Sequence, residues 1–81
     1  MKYVWIVKDG VNDDVTVFRS LGDAEKFAST MLSQARDIGF VTEPDGITFS
    51  QQAIKKYNMM SVQLYKPSLQ REISIMKAEV I

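Results

Sequence analysis

Ala24, Phe27, Ala28, Met31, Leu32, Ala35 and Ile38 recur at steps of three and four residues between Ser20 and Gly39. At that spacing they share one side of a helix about five turns long. An apolar stripe of this kind has to be covered by another layer, and the two ends of the chain are the only material from which to build one. The helix carries its own punctuation. Ser20 is placed to cap the start, Asp23 occupies the capping-box position, and Asp23 and Glu25 suit the positive end of the dipole. Gly39 is placed to end the helix, Arg36 suits the last turn, and Phe40 can fold back on the final apolar turn as in a Schellman motif.

The flanking segments read as strands. Tyr3 to Val7 joins aromatic and β-branched residues without helical spacing, which predicts a strand inside a sheet. The polar cluster Asp9-Gly10-Val11-Asn12-Asp13-Asp14 turns the chain, and Val15 to Phe18 returns as the second arm of a hairpin. Downstream, Glu43-Pro44-Asp45-Gly46 predicts a type I turn tipping a small hairpin of 40–42 and 47–49. A short helix is expected over Ser50 to Tyr57, with Ser50 as cap and Phe49 and Ile54 as a hydrophobic staple, while Thr48 with Gln51 offers a competing cap two residues earlier. Ser61 to Lys66 alternates with Val62 and Leu64 inward, Pro67-Ser68 turns, and Arg71 to Ile81 forms the last strand. In that strand Ile73 and Ile75 point one way while Met76, Ala78 and Val80 point the other, which predicts burial on both faces or a bulge near Met76. The expected fold is therefore α+β, one domain over residues 1–81: a four-stranded, mainly antiparallel sheet in the order β-β-α-α-β-β, with the long helix packed on one face and a second short helix.

At 81 residues, 46% hydrophobic and 25% charged, the composition is that of a small soluble globular chain with room for one core. Chains of this size commonly lean on disulfides, metals or oligomerisation. Neither histidine nor cysteine occurs, so a homodimer is the route that remains. The same absence removes the groups that most often perform acid-base, nucleophilic and transition-metal chemistry near neutral pH. Only five apolar residues run together near the N-terminus before charges intervene, too few for a signal-peptide core or a membrane span, and a cytoplasmic location without membrane contact is expected.

Formal net charge is zero, with residues 1–45 at minus three and 46–81 at plus three. Asp9, Asn12, Asp13 and Asp14 offer oxygens to a hard cation, but not at EF-hand spacing, and they read as a solvated hairpin loop. Asp13 and Asp14 are neighbours in a turn with nothing apolar nearby to raise a pKa, so paired-carboxylate catalysis is not expected. Lys55 and Lys56 beside Tyr57, with Tyr65, Lys66, Arg71 and Lys77 later, form the alternative of a nucleic-acid surface, without the excess positive charge such surfaces usually carry. No catalytic, cofactor-binding or metal-ligating residue is assigned.

What the residues favour instead is protein–protein contact. Tyr3, Trp5 and Val7 share one side of the first strand and Val4 and Ile6 the other. One long helix covers one side only, so either the short helix takes the second side or that side stays open and binds a partner. Trp5, Tyr57 and Tyr65 are residue types that serve as interface anchors. Val11, Met59 and Met60 add apolar groups in expected loops, and Asp13, Asp14, Lys55 and Lys56 add charge. A free sheet edge at 71–81 would offer strand addition. The opening, a strand, an Asp-Gly turn, a strand and then Phe18-Arg19-Ser20-Leu21-Gly22-Asp23-Ala24-Glu25-Lys26-Phe27-Ala28, resembles the starts of small uncharacterised proteins carried by bacteriophages and plasmids. That resemblance covers about the first third of the chain and leaves the second half unmatched; the expectation of a non-enzymatic accessory or inhibitory protein of bacteriophage type comes from the missing catalytic groups and the leftover apolar face.

Overall fold

A computed structural model describes residues 2–80. The elements are β1 (Lys2–Asp9), β2 (Asp14–Phe18), α1 (Leu21–Asp37), β3 (Val41–Thr42), α2 (Gln51–Tyr57), β4 (Met59–Lys66) and β5 (Leu69–Val80). The strands form one antiparallel sheet in the order β2-β1-β5-β4-β3. Both helices pack on the same face of it.

α1 is bounded as its sequence dictates. The Ser20 hydroxyl accepts from the Asp23 amide, and at the far end Gly39 adopts φ +99° while the Gly39 and Phe40 amides donate to the Arg36 and Ala35 carbonyls. That pair of bonds is a Schellman cap, and it folds Phe40 into the core. Along the stripe Ala24, Ala28, Leu32 and Ala35 are fully covered, while Phe27 and Met31 pack at its margin. Ile38 departs from the expected stripe. It is the C-cap residue and lies 58% exposed, because the chain leaves helical geometry there and turns toward β3.

α2 begins as expected, with the Ser50 hydroxyl accepting from the Ala53 amide and with Phe49 and Ile54 both in the core. The expected hairpin of 40–42 with 47–49 does not form. Val41–Thr42 instead pairs with Tyr65 and Leu64, giving a fifth strand and the order β-β-α-β-α-β-β in place of the four-stranded β-β-α-α-β-β. Pairing with β4 buries Thr42 beside Leu64, and residues 43–49 are left to cross from the sheet edge to α2. Their turn is shifted one residue from expectation. The Ile47 amide donates to the Pro44 carbonyl, Gly46 takes φ +77°, and the Glu43–Pro44 bond is cis. Arg36 ties this crossing to the end of α1, its guanidinium donating to the Thr42 hydroxyl and the Ile47 carbonyl while Thr42 donates to the Pro44 carbonyl.

Met59 and Met60 lie in β4 and not in a loop. β5 is the central strand, paired with β1 on one side and β4 on the other, so 71–80 offers no free edge; residue 81 lies outside the described part. Its register is unbroken against both neighbours, so no bulge is present near Met76. The apparent change of phase in its sequence arises because Ile73 and Ile75 face the helices while Met76, Ala78 and Val80 are apolar residues of the opposite face.

Candidate partner-binding surface

Cross-strand partners share a face of the sheet, so the registers divide the strand residues into two sets. One set contains Trp5, Val7, Phe18, Met60, Val62, Leu64, Leu69, Ile73 and Ile75, and all of these belong to the core or pack against it under the helices. The other set has no layer over it among the described residues.

That open face is graded along the strands. One row runs Val17, Ile6, Met76 and Met59 across four strands. Val4 beside Ala78, then Val80 beside Lys2, continue it toward one end, and Val15 borders it on β2. Val15, Val17, Met59 and Val80 are 46–63% exposed, while Val4, Ile6, Met76 and Ala78 are half-buried by their neighbours in the sheet. These eight apolar positions, each covering about 4.8 Å across the strands and about 6.6 Å along them, give a patch of roughly 250 Å². Toward the other end the face turns polar, with Ser61, Ser74, Gln63, Glu72 and Gln70, and Tyr65 stands there opposite Gln70.

The charged side chains that the registers place on this face are Lys2, Lys8 and Glu72. Lys2 also joins Arg19, Tyr3, Val4 and Val80 around a recess of about 450 Å³ at the apolar end. The border of the patch is therefore mainly cationic.

The eight residues singled out from the sequence do not gather on one surface. Trp5 lies on the helix side and packs against the core. Val11 also packs against the core, partly buried. Asp13 and Asp14 are exposed at the hairpin, Asp13 with φ 62°. Lys55, Lys56 and Tyr57 stand exposed on α2, the Lys56 ammonium 5.3 Å from the Tyr57 ring centre. Tyr65 alone among them belongs to the open face. The residues that line its apolar half, Val15, Val17, Met76, Ala78 and Val80 above all, had a signal in the sequence: alternate apolar positions in two strands that the core does not require. Assigning them needed the register between β1, β2 and β5.

The cations of the second half of the chain are also dispersed. Lys66 and Arg71 lie at the β4–β5 hairpin end, about 20 Å along β5 from Lys77. The Lys77 ammonium is 4.1 Å from the Tyr3 ring centre and 5.9 Å from that of Trp5, which uses its charge within the fold. In the hairpin loop the buried Asp9 carboxylate accepts from the Val11 and Asn12 amides and from the Asn12 side-chain amide. Its oxygens organise the turn. Among the described residues no three acidic side chains converge to hold a metal ion, and no helix is long and apolar enough to cross a membrane. No protein-family model matches the chain, and neither a curated protein nor a solved structure matches it.

Proposed function

We propose that this chain is a non-enzymatic protein-binding module, an accessory or inhibitory protein of bacteriophage type, whose contact surface is the apolar half of the open sheet face. The observation that carries the reading is the row Val17, Ile6, Met76 and Met59 with Val4, Ala78 and Val80 beside it, left without a covering layer while both helices crowd the other side. A chain of this size gains nothing in stability from exposed valines and methionines, and methionine adapts well to a partner's shape. Lys2, Lys8 and Arg19 at the border favour a folded protein whose own apolar surface is flanked by carboxylates. Lys55 and Lys56, exposed beside Tyr57 on α2, support a second reading, nucleic-acid binding.

The test is a comparative pull-down from the cell that makes the chain, using wild type, Met59→Gln/Met76→Gln and Lys55→Gln/Lys56→Gln. The partner is expected with wild type and with the lysine variant, and to be lost with the methionine variant. An unchanged set of captured proteins across all three removes the open face from the reading. Nucleic acid recovered with wild type and lost with the lysine variant moves the assignment to the second reading.

A further inference from the structure

Two of the four glycines follow an aspartate, Gly10 after Asp9 and Gly46 after Asp45. In such a pair the glycine amide can attack the preceding side chain, because glycine has no Cβ to obstruct ring closure and reaches conformations closed to other residues. The two pairs are covalently alike and sit in opposite surroundings.

At the first pair both reacting groups are held. Asp9 is 3% exposed, and its carboxylate accepts from the Val11 amide, the Asn12 amide and the Asn12 side chain. The Gly10 amide donates to the Glu72 carbonyl at 2.8 Å, and a Cβ at Gly10 would stand 2.5 Å from the same oxygen. Ring closure there has to break these bonds and part β1 from β5. At the second pair both groups are free. Asp45 and Gly46 are exposed in the crossing between β3 and α2. Among the described residues the Asp45 carboxylate has no hydrogen bond or ion pair, the Gly46 amide donates to nothing, and nothing lies within 4 Å of a Cβ built at Gly46. The closing bond of the turn, from the Ile47 amide to the Pro44 carbonyl, spans the pair without engaging either group.

We propose that Asp45–Gly46 is a site of spontaneous isoaspartate formation and that the fold protects Asp9–Gly10 from the same reaction. The Gly46 nitrogen gives up its proton and bonds to Cγ of Asp45, and one Cγ oxygen leaves as water, closing a five-membered succinimide. Water then adds to the ring at the backbone carbonyl and breaks its bond to the Gly46 nitrogen. The chain now runs through Cβ and Cγ, and the former backbone carbonyl becomes a free carboxylate. No oxidant or reductant is needed, and the mass of the chain is unchanged. The product is an exposed isoaspartyl residue, the substrate class of carboxyl methyltransferases that esterify that carboxylate. It also lengthens by one carbon the turn that Arg36 and Thr42 tie to the end of α1. None of the open-face residues belongs to this loop, so the inference stands apart from the partner-binding reading.

The test is incubation of the full chain for several weeks at physiological temperature and neutral pH, folded and in concentrated urea. Peptides are then mapped by fragmentation that separates isoaspartyl from aspartyl forms, and methyl transfer from labelled S-adenosylmethionine by an isoaspartyl methyltransferase gives an independent count. In the folded chain isoaspartate at residue 45 is expected to exceed that at residue 9 by about tenfold or more, since Asp9 must first lose buried hydrogen bonds. In urea the two sites are expected to convert at similar rates. Asp45→Glu, whose longer side chain would need a six-membered ring, is expected to remove the signal at residue 45 and leave residue 9 low in the folded chain. Residue 45 unconverted in the folded chain, or residue 9 converting as fast as residue 45 there, overturns the proposal. Residue 9 unconverted in urea overturns the part assigned to the fold.

Discussion

β1 and β5 contribute to two surfaces that share a backbone and differ in almost everything else. On the helix side Val7, Ile73 and Ile75 are no more than 1% exposed, enclosed by Ala24, Ala28, Leu32 and Ala35 of α1. On the other side their immediate neighbours Ile6, Ser74 and Met76 have no second layer above them among the described residues. Both sides contain branched and sulfur-bearing apolar residues, so hydrophobicity by itself does not say which side is core. What separates them is that the covered side meets alanines. Three alanines at the contact line of α1 let the helix backbone approach the sheet closely, and the large residues opposite fill the space between. The open side presents its apolar groups in rows with nothing shaped to receive them, which is how a surface differs from an interior.

The comparison makes graded predictions. Leu32→Ala removes a side chain that is 1% exposed at the centre of the covered side, and should cost about 3 kcal/mol and lower the melting temperature by on the order of 15 °C in a chain of this length. Thermal unfolding followed by circular dichroism measures it, and a fall of only a few degrees would mean that α1 is not the cover described here. Gly10→Ala should cost about 2 kcal/mol, because an added Cβ would lie 2.5 Å from the Glu72 carbonyl oxygen, a backbone atom of the central strand. Urea titration of this variant sharpens the comparison by showing how rigidly β1 and β5 are held where the Gly10 amide donates to that same carbonyl. Met59→Thr, on the open side, should change stability by less than about 0.5 kcal/mol. A large loss there would break the distinction between the two faces.

Much of this was legible in the chain. The caps of both helices, the inward placement of Val62 and Leu64 and the first hairpin follow from local rules, since each depends on residues a few positions apart. Sequence and structure part where a residue's role depends on something distant. Val41 and Thr42 look like the arm of a local hairpin until Tyr65 and Leu64 compete for their hydrogen bonds. Met59 and Met60 look like loop residues because α2 ends only at Asn58, which takes a left-handed conformation before β4 begins at once. The last strand looks like an edge because it ends the chain, although in space it lies at the centre. The open face was legible only as a question. The alternation of Val4 and Ile6 against Tyr3, Trp5 and Val7 demanded two covers, and which side the short helix would take could not be read from it.

Local chemistry written in the chain determined where its helices start and stop, which residues of each strand point together, and that no histidine or cysteine takes part in anything it does. Tertiary structure alone decided the strand order, the joining of both helices on one face and the exposure of the other. The reason is physical: capping and alternation act over a few residues and are specified one segment at a time. The choice of strand partner and of covered face is a competition among segments far apart in sequence, settled by which arrangement encloses the most apolar surface with every backbone group paired.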